Sequence, residues 1–113
     1  MEWIELKEAS ELAKIKELSA LHPVLIFKHS TRCSISSSAI SRLERNWNKD
    51  EMKNVTTYYL DLINYRDLSN KIASDFQIEH QSPQLLLIQN GQCKYDASHM
   101  EISYSDIKEL LHP

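Results

Sequence analysis

Residues 24–36 read V-L-I-F-K-H-S-T-R-C-S-I-S, and this stretch decides the fold. The apolar run at its start, residues 24–27, predicts a buried strand. After Cys33, apolar side chains recur every fourth residue, which predicts a helix that runs to about Asn48. The face of this helix is formed by Ile35, Ala39, Leu43 and Trp47. A thiol between a strand and a helix start lies in the partial positive charge of the helix N-terminus, which favours the thiolate. The sequence therefore predicts an activated thiol at Cys33.

Strands and helices alternate on both sides of this stretch. Residues 3–5 predict a short edge strand, and the following apolar periodicity predicts a helix that ends near His22-Pro23, because a residue before proline avoids helical angles. Residues 57–62 predict a second buried strand. Asn64 is predicted to cap a helix. The apolar face of that helix is Leu68, Ile72 and Phe76.

The C-terminal third predicts a hairpin and a last helix. Asn90-Gly91 is a strong hairpin sequence between strands at 85–89 and 93–97. Ser103 with Asp106 resembles a capping box for the final helix. The order β-α-β-α-β-α-β-β-α predicts one α/β domain over residues 1–113. Its central sheet is expected to be mixed, with a parallel core, an antiparallel C-terminal hairpin and helices on both faces.

Composition excludes several classes of function. The net charge of −3 argues against nucleic acid as a partner, because phosphate binding needs a basic face. No apolar run approaches the ~20 residues that span a bilayer, and the first residues lack a secretory pattern, so we expect a cytoplasmic protein without a membrane partner. The single glycine, Gly91, excludes dinucleotide fingerprints and phosphate-binding P-loops, which need several glycines.

Cys33 is expected to act without a second thiol. The residue three positions later is Ser36, and the other cysteine, Cys93, is sixty residues away in the sequence. Arg32 and Lys28 are expected to favour the charged form of the sulfur. Ser36 has two interpretations that the sequence leaves open: a solvated hydroxyl on the helix, or a hydrogen-bond donor to the thiolate.

The histidines do not predict a metal site. His29, His80 and His99 have no tight ligand spacing with either cysteine, so each is expected to be a polar surface or loop residue. His99 is the most informative of the three. If the last strand of the sheet is antiparallel to the central strands, the chain returns there to the cysteine end, where His99 could lie near Cys33.

Three segments resemble thioredoxin-like proteins: the strand–cysteine–helix junction, the stretch D-L-I-N at 61–64, and Ser82-Pro83 before the apolar strand. The resemblance implies that Pro83 is cis and faces Cys33, and that Ser82 offers its backbone to an extended thiol substrate. Within this superfamily, K-H-S-T-R-C-S-I-S at 28–36 and D-A-S-H-M-E-I at 96–102 resemble the monothiol bacilliredoxins.

That resemblance implies an activity. Cys33 would be the active thiol of an oxidoreductase that removes bacillithiol, a low-molecular-weight thiol, from mixed disulfides on client proteins. The remaining site residues, which stabilise the thiolate or bind substrate, would be Thr31, Arg32, Ser36, Ser82, Pro83, His29 and His99. No tightly bound cofactor is expected. Bacillithiol would be a co-substrate, and it or another reducing thiol would regenerate the protein.

Two features leave alternatives open. The family often has proline where this chain has Ser34. Proline preorganises a first helical turn, so the absence of this proline could change the rate at which the thiol reacts. C-S-I-S also resembles the C-G-F-S motif of iron–sulfur-carrying monothiol glutaredoxins, but the Gly-Gly pair that seats glutathione in them is missing. A thioredoxin-like binding module without turnover is the third possibility.

Overall fold

The structure is a computed structural model that describes residues 1–112. Pro113, which the domain prediction also included, lies outside the described residues. Five strands, four α-helices and a short 3₁₀ turn follow the predicted order. Their bounds are β1 Ile4–Glu5, α1 Glu11–Ser19, β2 Val24–His29, α2 Ser34–Asn46, β3 Thr56–Asp61, α3 Arg66–Phe76, β4 Gln84–Gln89, β5 Gln92–Ser98, the 3₁₀ turn His99–Glu101, and α4 Tyr104–Leu111.

The strands form one mixed sheet, as the sequence predicts, and their order in it is β1-β3-β2-β4-β5. β2 lies at its centre, parallel to β3 and antiparallel to β4. β1 adds to β3 in parallel, and β5 returns antiparallel to β4. All residues of β2 are buried, which explains its nearly continuous apolar run. Because β2 and β4 run in opposite directions, the carboxyl end of β2 lies beside the amino end of β4.

Helices cover both faces of the sheet. α1 and α3 enclose one apolar layer, which includes Ile72, and α2 and α4 enclose the other, which includes Ile107. Successive side chains of β2 enter opposite layers. Lys28 therefore reaches α3, whereas His29 reaches α2. The two polar residues that end the central strand thus have separate surroundings.

The predicted cap of α3 is wrong, and the predicted cap of α4 is right in its position only. α3 begins one residue later than expected, with Tyr65 at its N-cap, because the Asn64 amide donates instead to Asp61 Oδ2 at 2.7 Å. Ser103 does occupy the N-cap of α4, but its side chain makes no capping hydrogen bond. Short polar side chains have several local backbone and side-chain partners, so the capping pattern alone did not select the right one.

Candidate active site

Cys33 is the N-cap residue of α2. Its backbone is extended, with φ −105° and ψ 120°, and its carbonyl accepts from the N–H of Ser37 at 3.0 Å. The Cys33 N–H donates to the carbonyl of Ser30 at 3.1 Å, which closes the loop between β2 and α2. The Cys33 residue is half-buried. The unpaired N–H groups of the first helical turn favour negative charge at this position.

Ser36 lies beneath Cys33 and is fully buried. Its hydroxyl oxygen accepts from the N–H of Ser30 at 3.0 Å and lies 2.5 Å from Nδ1 of His29. The interpretation of Ser36 as a solvated hydroxyl is therefore wrong. Its donation to the Cys33 thiolate stays a prediction, since among residues 1–112 the hydroxyl pairs with His29 and Ser30.

His29 ends β2 in an aromatic environment. Its ring centroid is 5.5 Å from that of Tyr59 and 6.1 Å from that of Phe27. The side chain is almost entirely buried, so the expectation of a surface or loop histidine is wrong for His29. Burial lowers the pKa of His29 below its usual 6.5, while the carboxylates of Asp61 and Glu44 oppose that shift. The imidazole is therefore neutral at neutral pH.

The cis peptide bond predicted at Ser82-Pro83 is present. Pro83 is buried and directly precedes Gln84, which pairs with Lys28 near the end of β2. The Pro83 carbonyl accepts from the N–H of His99 at 3.1 Å. The sheet thus brings the loop before Cys33, the cis proline and His99 to one end. His99 is an exposed residue at that end, in a left-handed conformation with φ 55°.

Thr31 and Arg32 form the exposed part of the loop before the thiol. Within residues 1–112, neither side chain has a hydrogen-bond or ion-pair partner. Ile35 follows the thiol and is 47% exposed, although the helical pattern placed it on the buried face of α2. The buried residue in the first turn of α2 is instead Ser36.

Lys28 does not belong to the thiol environment, and the expectation that it supports the thiolate directly is wrong. Its side chain is fully buried on the opposite face of the sheet. The ammonium donates to the carbonyl of Ser69 at 3.2 Å and lies 3.4 Å from Nδ1 of His80. Burial lowers its pKa to about 8. The sequence offered one indication of this site, a lysine directly after four buried apolar residues.

Gln84 is a second buried polar residue that the sequence analysis missed. Its amide donates to the carbonyl of Glu79 at 2.9 Å, which ties the segment before the cis proline to the sheet. Its Oε1 atom is buried and has no hydrogen-bond partner among the described residues. Gln84 directly follows the cis proline, Pro83.

Cys93 lies apart from the site. It pairs with Ile88, which in turn pairs with Val24 at the opposite end of β2 from Cys33. Its thiol donates to the carbonyl of Tyr95 at 3.3 Å. Burial raises the pKa of Cys93 to about 11, so this thiol is a poor nucleophile at neutral pH.

Residues 1–112 contain no group of three or more His, Cys, Asp or Glu side chains that could hold a metal ion. None of their helices has the length and apolar character needed to cross a bilayer.

Comparisons with known proteins agree with this geometry. The family model described as monothiol bacilliredoxin BrxC matches residues 4–107. A thioredoxin-fold structure described as a proposed oxidoreductase is 28% identical, with a TM-score of 0.79 over 94% of this chain and 90% of the other. Two further structures share the fold. Trxlp from Edwardsiella tarda is 18% identical (TM-score 0.67, 96% and 98% covered), and Fasciola hepatica thioredoxin is 15% identical (TM-score 0.66, 95% and 94% covered). With its thioredoxin fold and single thiol at the start of α2, the chain belongs to the monothiol bacilliredoxin family.

Proposed function

We propose that this protein is a thiol–disulfide oxidoreductase that removes bacillithiol from mixed disulfides on client proteins through Cys33. The observation that carries the proposal is the half-buried thiol at the N-cap of α2, at the sheet end that also holds the cis proline. Membership of the monothiol bacilliredoxin family supports bacillithiol as the small thiol. The family and the fold are consistent with redox activity.

The reaction needs two exchange steps. The Cys33 thiolate attacks the bacillithiol sulfur of the mixed disulfide, a new S–S bond forms to Cys33, and the client sulfur leaves with the electron pair and takes up a proton. A second small thiolate then attacks the bacillithiol sulfur on Cys33 and releases the Cys33 thiolate. The client is thereby reduced, and the bacillithiol that it carried ends in a disulfide with the second small thiol.

Ser36 and Cys93 support a mechanism with one thiol. Ser36 occupies the position where a Cys-x-x-Cys pair would carry its second sulfur. Cys93 lies at the other end of the sheet. Regeneration therefore falls to a thiol from outside, which fits a reducing compartment such as the cytoplasm. The clients are S-thiolated proteins, and no tightly bound cofactor takes part.

The exposed groups around Cys33 suit such a substrate. Arg32 is free to pair with a carboxylate of the small thiol. Ser82 precedes the cis proline and can offer its backbone to the extended disulfide. Ile35 and Met100, which is 73% exposed, give the client an apolar surface.

The test uses one client protein with a single accessible cysteine, loaded in turn with bacillithiol, glutathione or coenzyme A. Mass spectrometry follows loss of the small thiol from the client and its appearance on Cys33. We expect the bacillithiol arm to be fastest, Cys33→Ala to abolish the reaction, and the matched control Cys93→Ala to retain most of it. Equal loss in both variants would contradict the proposed mechanism, and a faster glutathione or coenzyme A arm would contradict the choice of thiol.

A further inference from the structure

The buried pair of His29 and Ser36 has no part in the two exchange steps above. Both side chains are polar, and both lie almost entirely out of contact with water: His29 is 7% exposed and Ser36 is 0% exposed. Burying such groups is costly unless they are paired with each other. Their position directly behind the first turn of α2 connects them to the reacting thiol.

One tautomer of His29 lets this pair pass on a proton. A serine hydroxyl has one hydrogen to donate and two lone pairs. One lone pair of Ser36 accepts from the backbone N–H of Ser30 at 3.0 Å, and that group can only donate. When the neutral imidazole carries its hydrogen on Nε2, the Ser36 hydroxyl donates to Nδ1 of His29 at 2.5 Å. In the other tautomer, Nδ1 donates to the second lone pair of Ser36. The proton path needs the tautomer with its hydrogen on Nε2.

Ser36 is one helical turn away from the thiol. Cys33 is the N-cap of α2, and Ser36 is the third residue of the helix. A capping box joins these two positions through side chains and backbone N–H groups, so the two residues lie close together. Within residues 1–112 no hydrogen bond joins the Cys33 sulfur to Ser36, and catalytic hydrogen bonds often tighten only when the substrate is bound. Such a bond between the sulfur and the Ser36 hydroxyl would complete a path from Cys33 to His29.

The surroundings of His29 suit a group that is neutral at rest and charged for a moment. The Tyr59 ring of β3 packs beside it, and the carboxylates of Asp61 on β3 and Glu44 on α2 both favour its charged form. The indole N–H of Trp3 donates to Glu44 Oε2 at 3.0 Å and holds that carboxylate in place. The two carboxylates stabilise the imidazolium once it forms.

We propose that His29 is a positioning residue that holds the proton of Cys33 through Ser36. As Cys33 ionises, its proton moves to Ser36 Oγ while the hydrogen of Ser36 moves to His29 Nδ1. The resulting thiolate forms the new S–S bond, and the electron pair of the broken bond stays on the client sulfur. The proton then passes from His29 back through Ser36 to that sulfur. This inference rests on the proposed function, since the exchange reaction defines when the proton leaves.

The decisive variant is His29→Asn, because the asparagine oxygen can accept the Ser36 hydrogen bond near the position of Nδ1 but cannot take up a proton. The rate of Cys33 alkylation by iodoacetamide and the rate of client reduction are measured from about pH 5 to pH 8, the range in which imidazole titrates. We expect the wild-type rates to follow an ionisation that His29→Asn lacks, and the variant to be about tenfold slower or more at neutral pH. An unchanged rate and pH profile in His29→Asn would overturn the proposal.

A second measurement avoids any effect of the His29 substitution on folding. NMR follows the titration of His29 in the wild type and in Cys33→Ala. If Cys33 and His29 share a proton path, the midpoint of the His29 titration shifts when the thiol is removed, and identical titration curves would overturn the inference. The two proposals fail separately. Coupled titration without client reduction contradicts the proposed function alone, whereas client reduction without coupling contradicts only the role of His29.

Discussion

Lys28 carries its ammonium group into the interior of the protein. Its partners are the carbonyl of Ser69 and the ring of His80, and within residues 1–112 no carboxylate forms an ion pair with it. Burial favours the neutral amine, which is why its pKa falls from 10.5 to about 8. The folded protein therefore binds fewer protons than the unfolded chain between these two values.

The consequence is a specific pH dependence of stability. Below about pH 8 the cost of burying the charged lysine is present in full, and it is relieved as the pH rises from about 8 towards 10.5. We expect the free energy of unfolding of the wild type to rise relative to that of Lys28→Met by up to about 1.4 kcal/mol per pH unit in this interval. Urea denaturation of both proteins at several pH values measures the difference.

A lysine at the surface provides the matched control. Lys14 is exposed on α1. The free energy of unfolding of Lys14→Met should therefore change with pH in parallel with that of the wild type over the same interval. If the free energy of unfolding of Lys28→Met also changes in parallel with that of the wild type, the amine of Lys28 does not titrate in the folded protein as its burial implies.

At the scale of elements, α2 shows where a helical pattern misleads. Ile35, Ala39 and Leu43 are four residues apart, and this spacing predicted that they share the buried face of α2. The buried residues of the helix are instead Ser36, Ala39 and Leu43. The partner of Ser36 is His29, a residue of another element that helical periodicity cannot reveal. The identity of the element was predictable from the sequence, but its rotation about its own axis was not.

Ser36→Cys should turn the site into one with two thiols. The new sulfur would lie at the buried position across the first turn from Cys33 and against the imidazole of His29, which can accept its proton. We expect an internal disulfide under mild oxidation, seen by mass spectrometry as the loss of two hydrogens. The matched control is Ser37→Cys, whose side chain is exposed on the next position of the helix. A Ser36→Cys protein that stays fully reduced would contradict the described start of α2.

The hairpin between β4 and β5 depends on its turn. Asn90 and Gly91 both have positive φ, at 53° and 74°. A Cβ atom at Gly91 would meet no atom within 4 Å, so the cost of Gly91→Ala is the strain of the left-handed backbone alone. We expect a loss of about 1 kcal/mol in the free energy of unfolding. Asparagine tolerates the left-handed conformation better than alanine, so Gly91→Asn should lose less free energy of unfolding than Gly91→Ala. Equal losses in the two variants would contradict the explanation.

The fold and the site were not equally predictable. Asn90-Gly91 identified the hairpin, and the position of Cys33 after an apolar strand identified the thiol, because both depend on local sequence. The surroundings of Lys28 and His29 depend on how a central strand distributes its side chains between two covered faces. Since every residue of β2 is buried, no polar alternation marks the faces, and only the assembled sheet separates the two residues.

At the scale of the whole molecule, the sheet keeps the two thiols apart. Cys93 is level with Val24 at one end of β2, and Cys33 lies beyond His29 at the other. The strand between these ends is about 17 Å long at roughly 3.3 Å per residue. A disulfide requires Cα atoms that are about 4.4–6.8 Å apart, so the native protein cannot join them without unfolding part of the sheet.

We therefore expect no Cys33–Cys93 disulfide in folded, gently oxidised monomer. Non-reducing peptide mapping gives the answer, with circular dichroism on the same sample to show that it remains folded. A dominant linked peptide in folded protein would contradict both the register of the sheet and a mechanism that depends on an external thiol.

The outer strands of the sheet have a consequence for storage at high concentration. β1 has two residues, so it offers almost no template for another chain. β5 is longer, but it carries the exposed charges of Lys94 and Asp96, and its pairing with β4 is irregular next to Ile88. Charges and bulges on an edge strand oppose strand addition. The protein is thus built to resist fibril growth from its sheet edges, even though the sheet is open on both sides.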